Sequence, residues 1–192
     1  ISSAPKLAAF AMAMRLLEGK KVAYSALRYD PDLYVSAVEV AEAVGLPPGQ
    51  VFKTLVTQPD AGKPILAVVP SDVELDLKAL AKAAGLKKVR MATQADAEHL
   101  TGLQKGGISA LALVNKGFRV FLDSSAQQFD QIAMSAGERG VQVQLAPADF
   151  VRVSSVQRLS ERGLRTIART VVDLANAEGL RAHAQSILVR VS

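Results

Sequence analysis

A chain of 192 residues with 49% hydrophobic and 21% charged residues can bury a core of its own and is too apolar to be disordered. The absence of cysteine excludes disulfides, thiolate metal sites and a cysteine nucleophile. The two histidines, His99 and His183, are too far apart to suggest a metal site, and an aromatic share of 5% argues against a base-stacking platform. The net charge of +5 is uneven, with +1 over residues 1–150 and +4 over residues 151–192. The last segment therefore either steers toward a polyanion or presents a solvated helix face.

No run of about 18 uncharged apolar residues suggests a membrane span. The apolar stretch Leu7–Met14 is closed by Arg15, Glu18, Lys20 and Lys21, so Pro5–Glu18 is expected to be the first helix of a cytoplasmic protein, stopped by Gly19. Val22–Tyr29 reads as a strand. Ser36 with Glu39 has the spacing of a capping box and opens a helix that stops at Gly45–Pro48. Gln50–Thr57 and Pro64–Pro70 read as a hairpin across the turn Pro59–Gly62. Helices are expected at Asp76–Ala84, ended by Gly85, and at Thr93–Leu100, with Thr93 and Asp96 as a cap pair. Gly102–Gly107 reads as a loop. Strands are expected at Ala110–Val114, Arg119–Leu122, Gln131–Met134 and Val141–Leu145. The pattern implies an α+β fold with a mixed sheet. From Ser160 to Asn176, Leu164, Ile167, Val171 and Leu174 recur at helical spacing, opposite Arg158, Arg162, Arg165 and Arg169. Ile187–Val191 is a further strand candidate.

Three places could carry chemistry. Lys53 lies between apolar neighbours in Val51–Val56, on one face with Val51 and Leu55. It is either a cation reaching a carbonyl oxygen or phosphate, or an edge-strand lysine in water. Gly106–Gly107–Ile108–Ser109 is either a nest of amides for an oxyanion or a plain turn. Asp123 and the loop Ser135–Gly140 are either at the mouth of a pocket or ordinary turn residues. Ser109 and Ser135 have no histidine nearby in sequence and make poor triad nucleophiles. His99 has the setting of a surface or satisfied core histidine.

Taken in order, Val51–Leu55, Leu75–Lys78, Thr101–Gly102 with Gly106–Ser109, Asp123 with Gln127 and Phe129, and Ser135–Gly140 resemble the motifs of the YbaK/EbsC family, over about residues 10–153. That family is related to the editing domain inserted in bacterial prolyl-tRNA synthetases. The resemblance implies a mixed, partly barrel-like sheet flanked by helices. It also implies a cytoplasmic trans-editing deacylase that removes a small amino acid from mischarged tRNA, with Cys-tRNA(Pro) as substrate and prolyl-tRNA synthetase as a partner. Related branches act on alanine. A non-catalytic binder of tRNA acceptor ends or of a synthetase is the reading from another class. The resemblance places the catalytic roles on Lys53, Gly106 and Gly107. It places substrate binding on Phe52, Thr54, Ile108, Ser109, Asp123, Ser135 and Gly137, with no metal and no cofactor. In the mechanism suggested for the YbaK branch the substrate's own thiol attacks its ester; bound water is the other route. Lys53 would hold the terminal nucleotide or polarise the carbonyl. Two positions depart from the family pattern: Ala110 stands where proline is usual, and Ala136 adds a methyl where glycine is usual.

Residues 154–192 resemble a different family. Ser154–Val156, Leu159–Ser160, Gly163–Leu164 and Leu174–His183 are similar to the C-terminal segment of histidinol dehydrogenase. The roles implied there are substrate contact for Glu178 and zinc ligation for His183. The other ligands, bases and nucleotide-binding domains of that enzyme have no counterpart, so its activity is not expected. A helical packing or homodimerisation arm is expected instead, with a zinc site shared between subunits as the alternative.

Overall fold

The computed structural model describes residues 11–34 and 36–154. The expected N-terminal helix is seen as α1, Met12–Gly19; its first half, and all of the C-terminal arm beyond Ser154, including Glu178 and His183, lie outside the described residues. The remaining elements are β1 (Ser25–Arg28), α2 (Ala37–Ala43), β2 (Val51–Pro59), β3 (Ile65–Pro70), α3 (Leu77–Ala84), β4 (Val89–Met91), α4 (Gln94–Thr101), β5 (Arg119–Leu122), β6 (Ile132–Ser135), β7 (Val141–Leu145) and α5 (Pro147–Val153).

The caps read from sequence are present. Ser36 and Glu39 form the reciprocal capping box of α2, and Thr93 Oγ1 accepts from the Asp96 amide to start α4. Such caps are worth about 1 kcal/mol each. Asp76 caps α3, and Gly85 and Gly102 end α3 and α4 in the left-handed conformation.

The strands form one mixed sheet in the order β1-β7-β6-β2-β3-β5, with β4 added to β2. The β2–β3 hairpin is antiparallel, whereas β6 on β2 and β5 on β3 are parallel. The partly barrel-like closure expected of the family is not completed: β1 and β5 end the path without pairing to each other. Alternation sends Phe52, Val56, Leu66, Val68, Val143 and Leu145 into the main core, together with α1 and Phe150 of α5. On the other face α3 packs on Ile65 and Ala67, and α2 places Ala41 against Val51 and Ala133.

One expected strand is absent. Ala110–Val114 forms consecutive turns, with the Leu113 amide on the Ala110 carbonyl and the Ala112 amide on Ser109 Oγ. Its residues are apolar because Ala110, Leu111 and Leu113 are fully buried, and an apolar run alone does not separate strand from buried turn. Conversely, β4 and α5 have no counterpart among the expected elements.

Candidate active site

The site begins with a split in the sheet. β2 carries β6 along one edge only as far as the pair Phe52–Met134, and takes up β4 on that edge from Thr57–Met91 onward. Between them the Ala92 amide still reaches the Val56 carbonyl. Lys53 and Ser135, which would form the next pair of the β2–β6 ladder, diverge instead. Strand alternation turns the backbone polar groups of Thr54 toward this gap. The chain following Gly106–Ser109 crosses it, with the Ala110 amide donating to Thr54 Oγ1 at 3.3 Å.

The gap opens into a cavity of about 1070 Å³, lined by Val51–Val56, by Tyr29, Tyr34 and Glu39, and by Glu98, Lys105, Gly106, Ile108, Ser135, Arg139 and Gln142. That is room for a ligand the size of an aminoacylated nucleoside. Lys53 is not an edge lysine, because β2 is paired on both sides. It is half-buried, and its Nζ donates to the Ser71 carbonyl at 2.9 Å. Among the described residues it has no carboxylate partner; the ion pair found there joins Arg152 and Asp149. A lysine ammonium has three donors, so two remain for a ligand.

The Gly106–Gly107 pair divides its work. Gly106 lines the cavity with φ +85°, and neither its amide nor that of Ile108 is bonded to protein among the described residues. Gly107 instead closes the turn, donating to the Gln104 carbonyl at 2.9 Å. A Cβ on Gly107 would come within 3.2 Å of the Arg139 amide nitrogen, so glycine lets the two loops touch. The amides of Gly106 and Ile108 are thus left unspent by protein contacts among the described residues, whereas that of Gly107 is spent on the turn. Glu98 holds the start of that loop: its Oε1 accepts from the Lys105 amide at 2.9 Å and from Gln94 Nε2 at 3.2 Å.

Of the residues expected at the site, Phe52, Lys53, Thr54, Gly106, Ile108 and Ser135 share the cavity. Ser109 is fully buried and caps the turn at Ala112. Asp123 caps the short helical turn Ser124–Gln128 through the Ser125 amide. Gly137 packs so closely that a Cβ would lie 2.7 Å from that of Ala112. None of these three lines the cavity. Ala136 is fully buried in the main core, so its extra methyl is not part of the cavity wall. His99 is exposed.

Several lining residues were not singled out in sequence. Tyr29 and Tyr34 come from the segment after β1, and Arg139 lies over Gly106 while its Nη2 donates to the Pro31 carbonyl at 2.7 Å. Arg139 sat inside a recognised motif, but nothing in its spacing marked the side chain as lining a pocket.

Comparison with known proteins matches this architecture to one family. The family model of the aminoacyl-tRNA editing domain matches residues 33–153. The Enterococcus faecalis protein named "Putative Cys-tRNA(Pro)/Cys-tRNA(Cys) deacylase EbsC" is 42% identical over 146 residues, 76% of this chain and 88% of its own. A crystal structure of "a putative trans-editing enzyme for prolyl tRNA synthetase" has the same fold. It superposes with a TM-score of 0.63 at 24% identity, over 81% of this chain and 96% of that one. The histidinol dehydrogenase family model matches residues 135–191. The match to the Vibrio vulnificus enzyme is 33% identical over 102 residues, 49% of this chain and only 24% of that enzyme. The family match over residues 33–153 and the 42% identity to the E. faecalis protein set the assignment: the chain belongs to the aminoacyl-tRNA editing family, in its YbaK/EbsC branch.

Proposed function

We propose that the chain is a trans-editing deacylase that releases cysteine from Cys-tRNA(Pro). The observation that carries this reading is the pairing, in one cavity, of the Lys53 ammonium, which has no carboxylate partner among the described residues, with the amides of Gly106 and Ile108, which are bonded to none of those residues. Ester cleavage builds negative charge on the carbonyl oxygen, and fixed donors facing that charge are a main catalytic device for a protein with no cysteine. The attacking group is then the substrate's own thiol or a water. In the thiol route sulfur bonds to the carbonyl carbon, the carbon–oxygen bond to the ribose breaks, and the thiol proton passes to the ribose oxygen. The name of the E. faecalis relative supports cysteine as the amino acid. We take the reaction to run in the cytoplasm, where such tRNA is charged, with prolyl-tRNA synthetase, the source of the mischarged tRNA, as partner.

The test is release of labelled amino acid from Cys-tRNA(Pro) and Ala-tRNA(Pro) by the intact chain and by Lys53→Ala. Rapid release of cysteine is expected, slowed about 10²–10³-fold in the variant, as for loss of one oxyanion donor. Faster release of alanine would move the enzyme to the alanine branch. Binding of tRNA without release from either would make it a non-catalytic binder.

We extend the reading to residues 154–192 as a dimerisation arm, on the strength of the amphipathic pattern from Ser160 to Asn176. Light scattering should give a dimer for the full chain and a monomer for a chain shortened after Ser154. The same mass per particle in both would dismiss the arm.

A further inference from the structure

The place of Lys53 in the cavity depends on a residue just beyond the neighbouring strand. The β2–β3 ladder runs from Thr57–Ile65 to Phe52–Pro70, and the next pair would join Val51 to Ser71. Only half of that pair forms. The Ser71 amide donates to the Val51 carbonyl at 2.7 Å, but the Val51 amide closes the helical turn Pro48–Gln50 by donating to the Pro48 carbonyl. A hydrogen-bonded antiparallel pair exchanges both bonds. Here the Ser71 carbonyl is left to another donor, and the Lys53 ammonium takes it at 2.9 Å. Lys53 stands opposite Val69 in the register. Ser71, two residues on, is therefore its diagonal neighbour on the same sheet face, within reach of a long side chain.

Ser71 is itself held at two points. It is 5% exposed, and besides the amide bond to Val51 its Oγ donates to the Pro48 carbonyl at 2.6 Å. Two anchors fix the direction of its own carbonyl, whereas one would let the peptide swing. The acceptor it offers is also neutral. A carboxylate in that place would form an ion pair and cancel much of the ammonium's charge. A carbonyl holds the ammonium and leaves its charge, with two N–H donors, to a ligand.

We infer that Ser71 is a positioning residue for Lys53: its bonds to Pro48 and Val51 aim its carbonyl at the ammonium and so fix where that charge stands in the cavity. The catalytic consequence rests on the proposed deacylase reading; the positioning itself does not.

The experiment uses the full chain with Ser71→Ala, which removes the Oγ anchor and adds no bulk. The first readout is nuclear magnetic resonance of protein carrying nitrogen-15 lysine, with the Lys53 ammonium signal assigned by its loss in Lys53→Ala. In the wild type its protons should exchange with water about 10-fold more slowly than those of exposed lysines, the low end for a hydrogen bond to a charged group. In Ser71→Ala that protection should be lost. The second readout is a double-mutant cycle on kcat/KM for release of cysteine from Cys-tRNA(Pro). Ser71→Ala should cost about 10-fold, less than the about 10²-fold of a misplacement of about 1 Å. In a Lys53→Ala background the same change should cost less than about 2-fold, because the group it positions is gone. Equal Lys53 protection in the wild type and Ser71→Ala overturns the assignment, as does equal kcat/KM in the two. The same loss in both backgrounds also overturns it and makes Ser71 a support of the fold alone. A protected Lys53 signal that Ser71→Ala abolishes, in a protein that releases no amino acid from tRNA, would overturn the deacylase reading and leave the positioning standing.

Discussion

Ala110 occupies a position where the family pattern has proline, and the difference has a use in this chain. A proline has no N–H, whereas the fully buried Ala110 donates its amide to Thr54 Oγ1 and so ties the loop after Gly106–Ser109 to the middle of the split in β2. Thr54→Val removes the acceptor and leaves a buried amide unmet, which costs about 1–3 kcal/mol. For a chain of this length that is a drop in melting temperature of about 2–4 °C per kcal/mol. In an Ala110→Pro background the donor is already gone, so the same Thr54→Val change should cost less. A double-mutant cycle on melting temperature measures the difference. Purely additive losses would mean that the 3.3 Å contact contributes nothing. Sequence alone flagged Ala110 as a departure and Thr54 as a site residue. It did not pair them, because their contact spans 56 positions along the chain and depends on where the sheet divides.

At the level of elements, α4 serves the site through one side chain. Its start at Thr93 and its left-handed stop at Gly102 set the turn on which Glu98 sits, and Glu98 then holds the Lys105 amide at the entry to the Gly106–Ile108 loop. Glu98→Ala frees that loop, so the two amide donors are less well placed at the moment charge develops. A fall in kcat of about 10-fold is expected, the equivalent of about 1.4 kcal/mol in the barrier, with KM little changed. Glu98→Gln keeps an acceptor oxygen and should recover most of the rate. Equal kcat in the wild type and Glu98→Ala would show that the loop holds its shape without this contact. The caps of α2, α3 and α4 were legible because capping is a matter of residue types at fixed short spacing. The hairpin was legible because a strand-like segment and a short, continuously apolar run flank the turn at Pro59–Gly62. What was not legible depends on partners distant in sequence. β4 is three residues long and is a strand only because Thr57–Pro59 of β2 lies beside it. The Ala110–Val114 segment is apolar enough for a strand but has no strand beside it, and Ser109 Oγ turns it instead. The motif residues Ser109, Asp123 and Gly137 lie in turns away from the cavity wall, whereas Gln142 of β7, which no motif marked, lines it. Which face of β7 borders a cavity is decided by the divergence of β2 and β6, and one strand's sequence does not carry it.

For the molecule as a whole, charge divides the labour. Residues 1–150 are nearly neutral overall, and the cavity combines Lys53, Lys105 and Arg139 with Glu39 and Glu98. Such a site can orient an aminoacyl end but has little long-range pull on a polyanion. We propose that the excess of +4 over residues 151–192 supplies that pull, through arginines at positions 158, 162, 165 and 169. If two of them neutralise tRNA phosphates, reversing their sign should weaken binding and lower the dependence of log K on log salt. The slope should fall by about 1.4–1.8, since each lost contact removes about 0.7–0.9. The double variant Arg162→Glu with Arg165→Glu, titrated with tRNA at several salt concentrations, measures this. Turnover of a short aminoacyl-adenosine ester should stay at the wild-type rate, because that substrate lacks the tRNA phosphates on which these arginines would act. An unchanged slope would return these arginines to a solvated helix face, and slower turnover of the short ester would tie them to the reacting site itself.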